Sequence, residues 1–357
     1  AVPEEDVVFI STSSGSTGVP TMSPFTKKDF DEFQDTESRW FWQVGMRPSD
    51  RYVHALNFSL YVGGPDVIGA QNLGALCIWG GTLPSERLLF VLKTYQPTVI
   101  WTSPSYAWQL GEKALKSGID PQKDLNIKKI IVAGELGGSI DATRKAIEDL
   151  WGAEVYDFYG LSDIFGACAA MCEAKDGLHI AENHILVETV DIHTGEVLKP
   201  GEVGELVFTT LRKHARPLIR FRTGDIGWID NTPCSCGRTH GRIHINGRKD
   251  DMFIVSAVNV FPSDIEAVIR ELSGITGEYL IRVFEKDFTC KYAVEIEKNA
   301  DNTKTEDEVA AEVSAALKAR IGVKPHHVVV HPDGGLDTRS EHKSKRIIDE
   351  RKLDYSI

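Results

Sequence analysis

The sequence lacks the marks of several protein classes. No apolar run approaches the roughly 20 residues that a helix needs to span a bilayer, and residues 1–6 are acidic where a signal peptide is cationic. The chain lacks an excess of positive charge: 52 acidic residues against 40 basic ones give a formal net charge of −12, whereas nucleic-acid binding needs basic surfaces. Six cysteines among 357 residues are too few for a disulfide framework. We therefore expect a cytoplasmic protein with no membrane and no nucleic-acid partner.

The order of apolar and amphipathic segments predicts the fold class. Strand-length apolar runs such as 76–79 and 129–132 alternate with helix-length patterns such as 85–95. Such alternation is typical of an α/β protein, with parallel sheet layered between helices. After residue 188 the chain turns to short β-rich pieces, and after residue 247 to a smaller α+β pattern.

Two domains are predicted from this change of pattern. Residues 1–249 form a large domain of layered sheets and helices with a β-rich subdomain. Residues 250–357 form a small, mobile α+β domain with two amphipathic helices, 262–272 and 306–321.

A hydroxyl- and glycine-rich loop follows the first strand-like run. Its residues are Ser13, Ser14, Gly15, Ser16, Thr17 and Gly18. Glycine lets backbone N–H groups turn toward an anion, and the hydroxyls add donors, so the loop suits a phosphate; a plain surface turn is the alternative. No Gly-Lys-Ser/Thr closes it, so it is not a Walker loop. Because a domain rarely begins at its active site, we expect a further N-terminal segment ahead of Ala1.

Four more motifs follow the loop. They are Tyr159-Gly160-Leu161-Ser162-Asp163, Arg222-Thr223-Gly224-Asp225, Gly247-Arg248-Lys249-Asp250, and Lys343 in a basic run. In this order they resemble the superfamily of adenylate-forming enzymes, which includes acyl-CoA synthetases, luciferases and nonribosomal adenylation domains. Segments 176–180, 217–223 and 258–262 are most similar to its phenylacetate–CoA ligase branch.

The resemblance implies an ATP-dependent carboxylic acid–CoA ligase. Such an enzyme forms an acyl-adenylate with ATP and Mg²⁺ and then passes the acyl group to CoA, its co-substrate. Phenylacetate, another aryl acid or a compact acid is the expected substrate. Ala257 and His342 stand where the family usually has glycine, so an acceptor other than CoA (a carrier-protein thiol, an amine or a cofactor) stays open, as does a homodimer.

The resemblance also assigns the nucleotide site. Asp225 would accept hydrogen bonds from the ribose, since a carboxylate accepts two donors at once. Tyr159 would border the adenine, and Asp163 would hold Mg²⁺, although the family usually has a longer glutamate there. Further nucleotide contacts are expected from Gly134, Glu135, Asp157, Gly160, Ser162 and Arg248.

Three residues are expected to carry the catalytic cycle. Lys343 would stabilise the charge that builds up at the α-phosphorus during adenylation. Arg248 and Asp250 lie where the family has the hinge about which its small domain rotates before CoA arrives. The carboxylate pocket is expected around Asn57, Phe58, Tyr61 and Gly63, whose aromatic and glycine content suits a small flat or branched acid.

A structural zinc site is predicted from two pairs of residues. Cys172 and His179 form one pair, and Cys234 and Cys236 form the other. Zinc binds cysteine and histidine tetrahedrally, and structural sites fill all four positions. His240 is an alternative ligand, and buried reduced cysteines are the alternative reading.

Overall fold

The structure is a computed structural model. It describes residues 2–12, 21–56, 62–256, 258–286, 289–336 and 346–352, apart from the side chains of Asn259 and Lys352. Within these ranges, every helix is too short or too polar to cross a bilayer. The chain divides into two compact units, the larger Ala1–Ser139 with Arg144–Ile245 and the smaller Ile140–Thr143 with Asn246–Ile357.

The elements up to residue 248 alternate between helix and strand and then become all β. In chain order they are β1 (Val7–Thr12), β2 (Met22–Thr26), α1 (Lys27–Gln43), β3 (Arg51–His54), α2 (Asp66–Leu73), β4 (Leu76–Trp79), α3 (Ser85–Tyr95), β5 (Val99–Thr102), α4 (Pro104–Lys116), α5 (Pro121–Asp124), β6 (Lys129–Val132), α6 (Asp141–Trp151), β7 (Glu154–Leu161), β8 (Phe165–Met171), β9 (Leu178–Ile180), β10 (Ile185–Val190), β11 (Gly204–Thr210), β12 (Phe221–Asp230) and β13 (Arg242–Arg248).

One long sheet organises the larger unit. Its strand order is β10-β11-β12-β13-β9-β8-β7-β6-β5-β3-β4. From β4 to β7 every neighbouring pair is parallel, because helices return the chain between strands. From β7 onward the pairs β7–β8, β8–β9, β9–β13, β12–β11 and β11–β10 are antiparallel. The antiparallel region therefore begins at Phe165, earlier than the change of pattern expected near residue 188.

The inner parallel strands β5, β6 and β7 are buried on both faces. Trp101 and Phe158 belong to a core that also contains Phe41 of α1. Ile100 and Ile130 point to a second core built with the apolar stripes of α3, α4 and α6. Burial on both faces explains why these strands read as continuous apolar runs.

A hairpin at the start of the chain leads into the sheet domain. β1 and β2 pair antiparallel, with Ser11 opposite Ser23, and residues 13–21 stand between them in the sequence. α1 follows at once, because Thr26 and Asp29 form a reciprocal capping box at its first turn. The expected phosphate loop is thus the connection of this hairpin.

The smaller unit is an α+β structure with its own core. Its elements are β14 (Phe253–Val255), β15 (Val258–Val260), α7 (Pro262–Glu271), β16 (Ile275–Lys286), β17 (Thr289–Lys298), α8 (Glu306–Ile321), β18 (His327–His331) and β19 (Ile347–Asp349). A four-stranded sheet of order β18-β17-β16-β19 packs with α7 and α8. The predicted α/β class and the smaller C-terminal α+β fold are both confirmed.

Candidate active site and metal centre

The predicted nucleotide-binding residues lie where β6 and β7 run side by side. Val132, the last residue of β6, pairs with Asp157 of β7, so Gly134 and Glu135 leave the sheet at this edge. Glu135 Oε1 accepts the N–H of Ser105 at 2.8 Å, in the first turn of α4. The loop after β6 is therefore attached to a helix N-terminus.

Asp157 fixes the same loop from the other side. It is buried, and the Ser139 hydroxyl donates to its Oδ2. A Cβ at Gly138 would lie 2.6 Å from the Asp157 Cβ, so only glycine permits this approach. Burial raises the pKa of the Asp157 carboxyl to about 7, against the opposing effects of the Ser139 hydrogen bond and the Arg144 charge.

Tyr159 and Asp225 are in direct contact. The Tyr159 hydroxyl donates to Oδ2 of Asp225 at 2.5 Å, and Asp225 is only 6% exposed. Gly224 precedes the carboxylate with φ of 77°, a conformation that favours glycine. Burial and the Asp225 charge raise the pKa of Tyr159 well above its ordinary value, so the hydroxyl stays protonated and can donate.

The turn after Tyr159 is tightly packed against the backbone of β8. A Cβ on Gly160 would fall 1.7 Å from the carbonyl oxygen of Gly166, which excludes any side chain there. The Ser11 hydroxyl donates to the carbonyl of Ser162 at 2.9 Å. This bond joins the first hairpin to the turn that contains Ser162 and Asp163.

Asp163 is surrounded by two cationic side chains. Arg216 Nη1 lies 3.1 Å from Asp163 Oδ1. The ammonium of Lys213 donates to the backbone carbonyl of Asp163 at 3.0 Å. Burial lowers the pKa of Lys213 to about 7, while the Asp29 carboxylate opposes that shift.

A second cluster contains both pairs of predicted zinc ligands. Donor atoms of Cys172, His179, Cys234 and Cys236 all lie within 4.8 Å of one another. The Sγ atoms of Cys172 and Cys234 are 3.7 Å apart, and Cys236 Sγ lies 3.3 Å from His179 Nε2. Cys172 follows β8, His179 lies in β9, and the other two occupy the turn between β12 and β13.

The histidine tautomer in this cluster is set by the backbone. His179 Nδ1 lies 3.0 Å from the carbonyl of His240, so Nδ1 carries the hydrogen and Nε2 faces the sulfurs. His240 directs its own Nδ1 to the Ile180 carbonyl at 3.0 Å. Among the described residues, the four-member group does not include His240.

Two protein-family models match the sequence. The model of the AMP-binding enzyme matches residues 1–211, and that of the AMP-binding enzyme C-terminal domain matches residues 257–351. The first match alone spans more than half of the chain. The chain belongs to the AMP-binding enzymes. The resemblance inferred from the motifs is confirmed.

Curated relatives of this AMP-binding enzyme cover almost all of it. The phenylacetate–coenzyme A ligase of Thermus thermophilus is 35% identical over 98% of this chain and 76% of its own length. That of Pseudomonas putida is 34% identical over 98% of this chain and 80% of its own. A crystal structure of 2-hydroxyisobutyryl-CoA ligase, in the postadenylation state with R3-HIB-AMP, aligns with TM-score 0.91 and 27% identity over 99% of this chain and 75% of that chain.

Arg248 and Asp250 of the AMP-binding enzyme form an exposed ion pair, with Arg248 Nη2 3.1 Å from Asp250 Oδ2. Both lie in the smaller unit. In the larger unit, a Cβ on Gly63 would lie 3.6 Å from Oδ2 of the buried Asp66. Gly63 thus borders a buried carboxyl group.

Several predicted residues lie outside the part of the chain that the structure describes. They are Ser13, Ser14, Gly15, Ser16, Thr17 and Gly18, then Asn57, Phe58, Tyr61 and Lys343. Their roles in the AMP-binding enzyme stay predictions.

Sequence reasoning missed the side chains that hold the site together. Ser139, Lys213 and Arg216 contact Asp157 or the Asp163 turn, yet none belongs to a recognised motif. The available signal was two cations, Lys213 and Arg216, shortly before the Arg-Thr-Gly-Asp motif. That signal names no partner, because Ser23, which Lys213 contacts, is 190 residues away.

Proposed function

We propose that the acid used by this ATP-dependent acid–coenzyme A ligase is phenylacetate or another aryl or compact carboxylic acid. The observation that carries the choice is the likeness, along nearly the whole chain, to phenylacetate–coenzyme A ligases. The solved 2-hydroxyisobutyryl-CoA ligase extends the range to compact acids. AMP-forming ligation is the reaction, with ATP and CoA as co-substrates.

Asp225 and Tyr159 hold the nucleoside in this proposal. A carboxylate offers about four acceptor positions, so Asp225 can keep its bond to Tyr159 while accepting the ribose hydroxyls. The Tyr159 ring then has one fixed orientation beside the adenine. Gly134, Glu135, Asp157, Gly160 and Ser162 form the walls around it.

Asp163 is the proposed magnesium ligand. A hard cation accepts any carboxylate oxygen, and Arg216 occupies Oδ1 at 3.1 Å. Bound Mg²⁺ would neutralise the phosphates that leave as pyrophosphate. Arg216 would keep the carboxylate oriented and add positive charge to the same place.

A structural Zn²⁺ is proposed for the cysteine–histidine cluster. Around a tetrahedral ion with Zn–S bonds of about 2.3 Å, two sulfurs lie about 3.8 Å apart, and Cys172 and Cys234 are 3.7 Å apart. The Nδ1–H of His179 bonds to a carbonyl, which is the orientation found for zinc-bound histidines. The ion would join β8 and β9 to the turn beyond Asp225. Ligand thiolates persist in a reducing compartment, which supports a cytoplasmic location.

Lys343 and the Arg248–Asp250 segment divide the reaction into two steps. Lys343, which falls in the matched C-terminal domain, would face the α-phosphate only while the adenylate forms. Rotation about Asp250, at the boundary between domains 1–249 and 250–357, would then remove it and admit CoA. The protein thereby separates charge stabilisation from thioester formation.

The deciding experiment is acid-dependent ATP–pyrophosphate exchange over a panel of acids. Phenylacetate, benzoate, 2-hydroxyisobutyrate and palmitate span aryl, compact and long-chain classes. We expect exchange with the aryl and compact acids and none with palmitate. Steady release of AMP should require CoA. Exchange with palmitate alone would refute the acid class, and steady AMP release with an amine but not with CoA would refute the acceptor.

A further inference from the structure

Lys213 is a buried cation outside every motif. It lies in the connection between β11 and β12 and is 8% exposed. Its Nζ donates to the Ser23 hydroxyl at 2.6 Å, to the Asp163 carbonyl at 3.0 Å and to the Ile164 carbonyl at 2.7 Å. Three acceptors match the three hydrogens of an ammonium group.

The three acceptors belong to two different parts of the proposed ATP site. Ser23 lies on β2, whose hairpin connection with β1 is the glycine-rich loop expected to bind phosphate. Asp163 and Ile164 form the turn that carries the proposed magnesium carboxylate. Ser23 also donates directly to the Asp163 carbonyl at 3.1 Å. Lys213 therefore links strand β2 to the turn that contains Asp163.

The backbone around Lys213 is itself fixed. Oδ1 of Asp29 accepts the N–H of His214 at 2.7 Å, and Oδ2 accepts that of Ala215 at 2.9 Å. Arg216 Nη1 lies 3.0 Å from the Met22 carbonyl. The Lys213 Nζ also lies 3.9 Å from the centre of the Phe25 ring, a cation–π contact that fills the remaining side of the ammonium.

A buried ammonium without a paired carboxylate is costly to keep. None of the ion pairs among the described residues involves Lys213, and the nearby Asp163 carboxylate pairs with Arg216 instead. A surface lysine or an apolar residue would avoid that cost if the position only filled space. The arrangement suits a residue whose role is to fix the distance between β2 and the Asp163 turn.

We propose that Lys213 is a positioning residue for MgATP: it fixes the β1–β2 hairpin against the Asp163 turn, whose carboxylate is the proposed Mg²⁺ ligand. The proposal rests on the nucleotide-binding part of the proposed function. It assigns Lys213 no contact with substrate. Its action is through Ser23, Asp163 and Ile164.

The test compares two ligands of one site. Lys213→Met keeps an unbranched side chain, shorter by one heavy atom, and removes its charge and donors. By calorimetry, MgATP affinity should fall about tenfold or more, the scale for lost hydrogen bonds of a charged donor. AMP, which lacks the β- and γ-phosphates and needs no Mg²⁺, should bind with less than about a twofold change, because Tyr159 and Asp225 are untouched.

Two further variants make the comparison decisive. Lys129→Met removes another partly buried lysine, which pairs with Glu154 at 2.7 Å, and should leave both affinities unchanged. Ser23→Ala removes one acceptor and should weaken MgATP alone by about threefold. This smaller change decides the matter if Lys213→Met does not fold.

Equal losses for MgATP and AMP would overturn the proposal, because a merely structural lysine acts on the whole site. Unchanged MgATP affinity in Lys213→Met or Ser23→Ala would overturn it as well. The binding comparison needs no acid. A wild-type enzyme that binds MgATP but shows no ATP–pyrophosphate exchange with any acid of the panel would refute the proposed function. The MgATP-to-AMP comparison would still decide the role of Lys213.

Discussion

The Tyr159 hydroxyl and the Asp225 carboxylate touch at 2.5 Å although their strands are not neighbours. β7 and β12 are separated in the sheet by β8, β9 and β13. In a flat sheet with strands about 4.8 Å apart they would lie about 19 Å from each other. The antiparallel half of the sheet must therefore curl back on itself, and the nucleotide site lies where it closes.

Removing this contact should weaken ATP use mainly through binding. Asp225→Ala should raise the apparent KM for ATP roughly ten- to hundredfold, since each lost hydrogen bond to a charged acceptor costs about 1.5–3 kcal/mol. Tyr159→Phe removes only the orienting donor and should cost about three- to tenfold. Tyr106→Phe, which removes a hydroxyl bonded to Ser85 at 3.1 Å on the helix side, is the control. An unmoved constant in Asp225→Ala would make Asp225 a turn residue only.

Amphipathic periodicity in the sequence predicts the helices accurately. The helix predicted over 85–95 is Ser85–Tyr95, and that over 306–321 is Glu306–Ile321. The Cys172–Cys236 cluster was also found, because soft ligands in short pairs are recognisable by type. Lys213 and Ser23 could not be paired from the sequence, since their contact depends on how the sheet curls. Nor could Arg216 be assigned to Asp163, because a cation has no sequence signature for its partner.

The metal cluster predicts about one zinc per chain. Elemental analysis of protein purified without added metal should find it, and Cys234→Ser should lower the content and the thermal midpoint together. Cys290→Ser changes a half-buried cysteine in the smaller unit and is the matched control. Full zinc content in Cys234→Ser, or no zinc in the wild type, would remove the site.

Asp157 predicts a pH dependence of stability. Its pKa is about 7 in the folded protein and about 3.9 in an unfolded chain. Between these values the native state holds a proton that the unfolded state has lost, so the contribution to stability is complete below pH 4 and is lost as the pH rises through 7. The slope approaches about 1.4 kcal/mol per pH unit.

Asp157→Asn should remove that slope. The thermal midpoint of the variant, minus that of the wild type, should therefore increase between pH 4 and pH 7 and level off above. Asp149→Asn, at an exposed position on α6, should show a difference that does not change with pH. A parallel pair of wild-type and Asp157→Asn curves would mean that Asp157 is ionised throughout this range.

The two half-reactions give the strictest test of the division of labour between Lys343 and Asp250. Lys343 should act only during adenylation, because the carboxylate attacks the α-phosphorus in that step, whereas the thiol later attacks the acyl carbon. Lys343→Ala should slow pyrophosphate exchange by about a hundred- to a thousandfold, or about 2.7–4 kcal/mol, the scale of one charge-stabilising donor. Thioester formation from prepared acyl-adenylate and CoA should be nearly unchanged. Lys345→Ala, in the same basic run, should affect neither step.

Asp250→Pro should show the opposite pattern. Proline fixes φ near −65°, so a hinge that needs another value in one orientation loses that orientation, while Asp250→Ala leaves the dihedral free. We expect exchange to survive in Asp250→Pro and thioester formation to fall, with Asp250→Ala close to wild type in both. If Lys343→Ala slows both steps equally, the lysine is structural. If Asp250→Pro and Asp250→Ala slow thioester formation equally, the carboxylate and its ion pair with Arg248 matter, and the dihedral does not.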